Sequence, residues 1–193
     1  MLTLPDAYTF KLQDLLARRY TTQAFSVVNE GLGGESTLQG KRRLPGTLAS
    51  LQPEVVLLME GANDLLAFGN NGVRDAIDNL GDMISLGQSA GARVLIATLP
   101  PQRPDSLRGT AAAVVPAFND GIRHIAAQQN AVLVDVFAAF RGDLSLVGPD
   151  GLHLNELGYQ RIAEAFFDVI RTRFELTPQT RVHYGDFSIR AAR

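Results

Sequence analysis

The feature of this sequence that most constrains its fold is an alternation of short apolar runs with longer helical patterns. Four runs are rich in β-branched residues or leucine, at residues 24–29, 54–60, 93–99 and 131–137. Each run is apolar almost throughout, instead of at every second residue, which is typical of parallel strands that are covered on both faces. The sequence therefore predicts four buried strands in one parallel sheet.

Helical patterns lie before, between and after these strands. They cover residues 5–20, 37–51, 72–90, 110–129 and 156–175. Strands that alternate with helices predict right-handed crossovers and a three-layer α/β sandwich with a flavodoxin-like parallel sheet. We expect one domain over residues 1–193, with a core of about residues 5–175 and a tail of residues 176–193.

The alternation opens on a helix, whereas folds of this type normally open on a strand that leads into that helix. In the flavodoxin-like strand order 2-1-3-4-5, the first strand lies inside the sheet. If it is missing, its two neighbours are separated by a gap of about 10 Å, because strands are spaced by about 4.8 Å. We expect another segment to fill this gap, since an open slot exposes strand edges and favours aggregation.

Composition excludes several classes of function. The net charge of −2 does not favour a nucleic-acid partner or an anionic membrane. The most cationic stretch, Lys41-Arg42-Arg43, is short and is interpreted as a solvated helix face. The absence of cysteine removes disulfides, thiolate metal sites and a cysteine nucleophile. No apolar run is long enough for a membrane span, and no signal peptide is visible, so a cytoplasmic location is the default expectation.

The turns after the strands carry the candidate functional residues, because open α/β sheets bind ligands beyond the carboxyl ends of their strands. The first strand is followed by EGLGGEST. Its glycines could present the backbone N–H of Gly34 to an oxyanion, or Gly31 and Gly33 could form part of a dinucleotide-binding loop. A third possibility is a plain turn in which Ser36 and Gln39 form a helix-capping box.

The second strand is followed by GANDLL, and the third by the proline-rich stretch PPQRPDSLRG. Asn63 and Asp64 are common turn residues, but the Asn63 amide could also serve as a second oxyanion donor. Asp64 is better suited to organise the loop by accepting hydrogen bonds than to act as a catalytic acid. The proline-rich stretch either lines a substrate pocket or forms a surface loop.

The fourth strand is followed by a D-G-L-H turn at the start of the last helix, which Asn155 is expected to cap. A spacing of three residues allows the Asp150 carboxylate to accept a hydrogen bond from Nδ1–H of His153. That contact would fix the tautomer and leave Nε2 as a general base, although a purely structural pair is the alternative. His124 lies in a helical pattern and His183 in the polar tail, so neither is assigned a catalytic role.

Taken together, these segments resemble the SGNH hydrolases, also called GDSL-type esterases and lipases. The matching blocks are VVNEGLGGEST, EGANDL and PDGLHLNELGYQRIAEA, in the order of that family. The resemblance implies that Gly34 and Asn63 are oxyanion donors, that His153 is the base, and that Asp150 orients it. It implies hydrolysis of a small-molecule carboxylic ester through an acyl-serine, without a cofactor or metal.

The sequence departs from the family in its first block, a strand that ends in G-D-S and carries the nucleophilic serine. Only MLTL precedes the first helical pattern. The simplest explanation is a truncated start, and very low esterase activity is then expected. A second is circular permutation, in which a strand at 180–184 enters the gap and Gly185-Asp186-Phe187-Ser188 supplies Ser188 as the nucleophile. A third is a binding protein that natively has no nucleophile.

The main alternative to an esterase is a non-catalytic protein that binds a ligand or a dinucleotide. Its ribose-binding acid would be Glu60, which lies 29 residues beyond Gly31, where about 20 is usual. This alternative explains the glycine loop but leaves Asp150 and His153 without a role. The sequence therefore favours the esterase.

Overall fold

The computed structural model describes residues 7–175 as an α/β sandwich. The elements in chain order are α1 (Tyr8–Arg19), α2 (Thr37–Leu51), β1 (Val55–Leu58), α3 (Ala62–Phe68), α4 (Val73–Ser89), β2 (Arg93–Ala97), α5 (Val115–Gln128), β3 (Val132–Val134), α6 (Val136–Phe140) and α7 (Glu156–Phe174). All five predicted helices are present, with ends that shift by up to five residues. No helix in residues 7–175 combines the length and the apolar character needed to cross a membrane.

The sheet has three parallel strands in the order β1-β2-β3. They confirm three of the four predicted strands, each shorter than its apolar run. The largest difference lies in the run 131–137, where the strand ends at Val134. There the Asp135 side chain accepts a hydrogen bond from the Ala138 N–H at 3.1 Å and begins helix α6. A capping carboxylate inside an apolar run thus ends the strand early.

Side chains that alternate along β2 divide the core into two clusters. Val94 and Ile96 pack with α2, α4 and α5 on one face of the sheet, called here the α4 face. Leu95 and Ala97 pack with α1 and α7 on the opposite face, called the α7 face. Because both faces of β2 are buried, every one of its inner residues is apolar, which confirms the three-layer arrangement.

The predicted strand at residues 24–29 is wrong, since this segment forms no strand. Its backbone bonds instead to one side chain of α1, because the Gln13 amide donates to the Phe25 carbonyl and accepts from the Val27 N–H, both at 2.7 Å. Phe25 and Val27 pack against the α7-face cluster. The segment is held in place by these contacts, but among residues 7–175 it pairs with no strand.

An open groove separates residues 24–30 from the unpaired edge of β1, and we call it the β1 groove. It has a volume of about 1190 Å³. Leu12 and Leu16 of α1 line it on the α7 face, and Leu44 and Leu48 of α2 line it on the α4 face. The groove occupies the position of the gap that the strand order predicts.

We expect Gln13→Ala to loosen residues 24–28, because it removes the hydrogen bonds to Phe25 and Val27. At about 1 kcal/mol for each bond, the free energy of unfolding should fall by about 1–2 kcal/mol. Thermal unfolding and chymotryptic cleavage at Phe25 measure the effect. Gln128→Ala, at an exposed position of α5, is the matched control. Equal melting temperatures and cleavage rates for the two variants would contradict this role of Gln13.

Candidate active site

The candidate site residues lie in turns at the carboxyl edge of the sheet. The glycine loop, residues 31–36, precedes α2. Asn63 lies in the first turn of α3, two residues after the glycine that follows β1. The turn with Asp150 and His153 precedes α7. The fold therefore brings the three sequence blocks to one edge, as expected from the position of the strands.

Gly34 adopts a left-handed backbone conformation with φ of +85°, which other residues rarely adopt. The space beside its Cα is open, since no atom lies within 4 Å of the position that a Cβ would occupy. The Gly34 N–H has no hydrogen-bond acceptor in the part of the chain that the structure describes. The expected capping box also forms, with Gln39 N–H donating to Ser36 Oγ and Ser36 N–H to Gln39 Oε1. Ser36 is thus engaged as a cap.

A network of hydrogen bonds joins the glycine loop to α3. The Asn63 amide donates to the Glu35 carbonyl at 2.9 Å. The neighbouring Asp64 accepts from the Thr37 N–H at 3.0 Å and from the Thr37 hydroxyl at 2.8 Å. Asp64 therefore organises the loop, as the sequence predicts. An amide nitrogen has two N–H groups, so the Asn63 side chain keeps one donor for a ligand.

Arg43 of α2 fixes the glycine loop from behind. Its guanidinium donates to both carboxylate oxygens of Glu35, at 2.9 and 2.8 Å, and to the Glu30 carbonyl at 2.8 Å. The prediction of a solvated face for Lys41-Arg42-Arg43 is therefore wrong at Arg43. The cationic stretch alone gave no sign of this role. The two glutamates that flank the glycines of this loop, Glu30 and Glu35, could have suggested a cationic partner such as Arg43.

His153 and Asp150 form the predicted contact, with 2.6 Å between Nδ1 and Oδ2. The second carboxylate oxygen of Asp150 accepts from the N–H groups of Leu152 and His153. Burial alone would raise the pKa of Asp150, but the hydrogen bonds from the imidazole and these two N–H groups outweigh it and hold the pKa below its usual value. The carboxylate thus stays charged, and because a carboxylate can only accept a hydrogen bond, this contact favours the His153 tautomer that donates from Nδ1.

The turn that carries His153 rests on the proline-rich stretch at residues 100–109. Backbone N–H groups of Arg103 and Arg108 donate to the carbonyls of Gly151 and Asp150, at 3.0 and 2.8 Å. A Cβ at Gly151 would collide with the Ser106 side chain. The stretch is therefore a support for the His153 turn, a role that neither sequence interpretation included. Asn155 caps α7 as predicted, accepting from the Gly158 N–H at 3.0 Å.

The remaining histidines and serines are placed as follows. His124 is exposed on α5, away from the turns. His183 and the candidate nucleophile Ser188 lie outside the described residues. Among residues 7–175, no serine hydroxyl is hydrogen-bonded to His153. The structure thus brings together Asp150 with His153, and Gly34 with Asn63, but within these residues it adds no nucleophile to them.

Glu60 lies between the β1 groove and the glycine loop. Burial raises the pKa of Glu60 to about 7, with the Glu35 and Asp64 carboxylates adding to the effect and Arg43 opposing it. Its Oε2 is buried without a hydrogen-bond partner in the described structure. A carboxyl group in this environment is a poor match for the ribose contact that a dinucleotide would require.

Because the pKa of Glu60 is higher in the folded chain, its contribution is favourable at low pH and is lost as pH rises through about 7. Glu60→Gln replaces the carboxyl group with an amide of similar shape that is uncharged at every pH. We expect its stability advantage over the natural chain to grow by about 3 kcal/mol between about pH 4 and pH 8. Urea unfolding across this range measures it. A difference between Glu60→Gln and the natural chain that stays flat across this range would contradict the raised pKa of Glu60.

The chain is similar to known proteins in both sequence and structure. The model of the GDSL-like Lipase/Acylhydrolase family matches residues 3–161. In sequence, the chain is 27% identical to Esterase TesA of Pseudomonas aeruginosa over 81% of this chain and 76% of that protein. A crystal structure of TesA superposes with a TM-score of 0.74 and 25% identity, covering 89% of this chain and 91% of the other.

Two further solved structures share the fold at lower identity. Axe2, an acetylxylan esterase from Geobacillus stearothermophilus, has a TM-score of 0.72 and 22% identity, with 85% of this chain and 80% of that chain covered. The psychrotrophic esterase EstA from Pseudoalteromonas sp., solved inhibited by monoethylphosphonate, has a TM-score of 0.71 and 23% identity, with 89% of each chain covered.

Proposed function

The chain belongs to the GDSL-like lipase/acylhydrolase family, a family of ester-hydrolysing enzymes, and we propose that its Asp150–His153 pair is the acid–base machinery of that hydrolysis. The contact of 2.6 Å between Nδ1 and Oδ2 carries this proposal. It holds the imidazole in one tautomer and aims Nε2 away from the carboxylate. His153 remains reachable by a substrate, since 55% of its side chain is exposed.

The proposed oxyanion donors are the Gly34 N–H and the second N–H of the Asn63 amide. They are neighbours, because Asn63 is bonded to Glu35, the residue after Gly34. Arg43 and Asp64 hold the loop that carries them, so the donors are in place before a substrate binds. A fixed donor of this kind lowers the barrier to acyl transfer by about 3 kcal/mol.

In the proposed reaction, a serine Oγ attacks the carbonyl carbon of the ester and its proton passes to His153 Nε2. The carbonyl oxygen becomes an oxyanion between Gly34 and Asn63. His153 then gives the proton to the leaving alkoxide, which departs as an alcohol and leaves an acyl-serine. Water then attacks the acyl-serine while His153 Nε2 accepts its proton. His153 returns a proton to the serine Oγ, and a carboxylic acid is released. Asp150 stays ionised and stabilises the imidazolium.

The substrate class that we propose is a small-molecule carboxylic ester. The turn that holds His153 is open to solvent, so a small substrate can reach the imidazole. TesA is named an esterase and Axe2 an acetylxylan esterase, which supports a carboxylic ester as the reacting group.

Replacing His153 with glutamine should lower kcat/KM for p-nitrophenyl acetate by about 10³–10⁴, because the general base is lost. The matched control is His124→Gln, on the exposed side of α5, which should keep the full rate. A natural chain without turnover, or a His153→Gln variant as active as the control, would contradict the proposed function.

Replacing Asn63 with alanine should lower kcat by about 10²–10³ and leave KM nearly unchanged, because the lost donor acts mainly on the transition state. Asn71→Ala, on an exposed turn after α3, is the control. Steady-state kinetics separate the two constants. A rise in KM with kcat intact would show that Asn63 binds the substrate and does not stabilise the oxyanion.

A further inference from the structure

We propose that the β1 groove binds an extended peptide of a partner protein, which adds a strand to the free edge of β1. The peptide that fits is about seven residues long, apolar in its middle and without carboxylates. Four features of the groove support this assignment: unpaired backbone groups, buried polar atoms without partners, apolar walls and charge. The assignment is independent of the proposed function, since it concerns the edge of the sheet and not the chemistry at His153.

Backbone groups of β1 face the groove without partners. The Arg93 N–H donates to the Glu54 carbonyl at 2.9 Å, so the backbone of Glu54 faces β2. Alternate residues of a parallel strand direct their N–H and C=O groups to opposite sides, so those of Val55 and Leu57 face the groove. Within residues 7–175, β1 pairs only with β2. An unpaired strand edge of this kind is a template for another strand.

The groove has the length of a short strand. Residues 53–60 line one wall and residues 24–30 the other. At about 3.3 Å for each residue, the wall formed by 53–60 is about 26 Å long. The groove volume of about 1190 Å³ also exceeds the roughly 300–1,000 Å³ typical of small-molecule sites. A peptide of about seven residues matches this length, whereas a metabolite would occupy only part of it.

Two polar side chains that line the groove are buried without hydrogen-bond partners. Thr9, in the first turn of α1, is only 5% exposed, and its hydroxyl has no partner in the described structure. Glu60 follows the carboxyl end of β1, and its Oε2 is likewise buried without a partner among residues 7–175. Both residues line the groove. The groove therefore offers polar groups at its edges that its own walls do not satisfy.

These unpaired groups distinguish a peptide from an apolar small molecule. Buried polar atoms in folded proteins are nearly always hydrogen-bonded, so the Thr9 hydroxyl and Glu60 Oε2 indicate an occupant with polar groups of its own. A fatty acyl chain has none along its length. A peptide has an N–H and a C=O at almost every residue, and the same groups can pair with the edge of β1.

The middle of the groove is apolar on both faces of the sheet. Leu12 and Leu16 line it on the α7 face, and Leu44 and Leu48 line it on the α4 face. A strand in this position would be covered on both faces, as β2 is. Strands that are covered on both faces carry apolar residues almost throughout. The central residues of the peptide should therefore be apolar.

Charge restricts the ends of the peptide. Among the described residues, the groove is lined by three acidic side chains, Glu30, Glu54 and Glu60, and by one cation, Arg43. The Arg43 guanidinium is already bonded to the Glu35 carboxylate and the Glu30 carbonyl. Carboxylates on the peptide would therefore be repelled, and cationic residues at its ends would be attracted.

The rim of the groove is suited to a single strand and not to the sheet of a second copy. Val28, Leu51 and Val55 line the groove and are 53%, 42% and 37% exposed. Exposed apolar side chains that cluster in this way mark a site of protein contact. The segment 24–30 lies opposite β1, so a sheet with helices on its faces cannot approach that edge, whereas one extended peptide can.

Fluorescence anisotropy with labelled synthetic peptides measures binding to the full chain. The first peptide is Lys-Val-Ala-Val-Ile-Ala-Lys with blocked ends. The second has glutamate in place of both lysines, and the third is the first with an N-methyl group on every internal residue, which removes its N–H donors. We expect the first to bind at least about tenfold more tightly than either of the others. Equal binding of the three, or no binding of the first, would overturn the proposal.

Two variants locate the binding site. Val28→Asp and Leu51→Asp each add a carboxylate to the rim at an exposed position, and each should weaken binding of the first peptide at least about tenfold. Leu157→Asp is the matched control, because Leu157 is 68% exposed at the start of α7 and lies outside the groove. Melting temperatures show which variants are folded, and either groove variant suffices. Unchanged binding in a folded groove variant, or an equal loss in the control, would contradict this site.

Two other occupants of the groove give different results. If a second copy of the chain fills it, sedimentation should show a dimer that Val28→Asp dissociates. If an apolar small molecule fills it, dodecanoate should displace the labelled peptide as effectively as the unlabelled peptide does. Either result would reject a partner peptide and assign the groove to that other occupant. None of these measurements depends on ester turnover, so they leave the proposed function untouched.

Discussion

The arrangement of the candidate active site depends on one buried carboxylate. Asp64 is only 6% exposed, and a charge in that position is tolerable because the Thr37 N–H and hydroxyl both donate to it. Asn79 adds a further bond to the Thr37 hydroxyl at 3.2 Å. Through these contacts the start of α2 and the start of α3 form one unit. The glycine loop and Asn63 are therefore held in a fixed relation by buried groups next to them.

The sequence was sufficient where a residue acts through local geometry. The D-G-L-H spacing implies the Asp150–His153 contact because three residues of turn suffice to close it. Ser36 with Gln39, and Asn155, are caps whose partners lie within three residues. The apolar runs of β2 and β3 identify buried parallel strands because both faces of the sheet are covered. In each case either the hydrogen-bond partner lies within a few residues in the sequence or the run of residues is uniformly apolar.

The sequence was insufficient where a role depends on contacts between distant segments. Arg43 supports Glu35 and Glu30 through side chains that local propensity does not describe. The 24–29 run has the composition of a strand, but a strand also needs a backbone partner, and the partner found here is the Gln13 side chain. Residues 100–109 look like an ordinary proline-rich loop. Only the folded chain shows that their N–H groups hold the turn of His153.

The placement of His153 on a loop-supported turn has an evolutionary implication. The turn of His153, the proposed base, is hydrogen-bonded to residues 100–109 and not to a strand, so changes in that loop can shift the imidazole without disturbing the sheet. The proposed oxyanion donors, by contrast, are held at the starts of two helices. Among related enzymes, the position of the imidazole relative to the leaving group should therefore vary more than the position of the groups that bind the carbonyl oxygen. Such a division would let acceptance of new alcohol portions evolve while the acyl-transfer geometry stays constant.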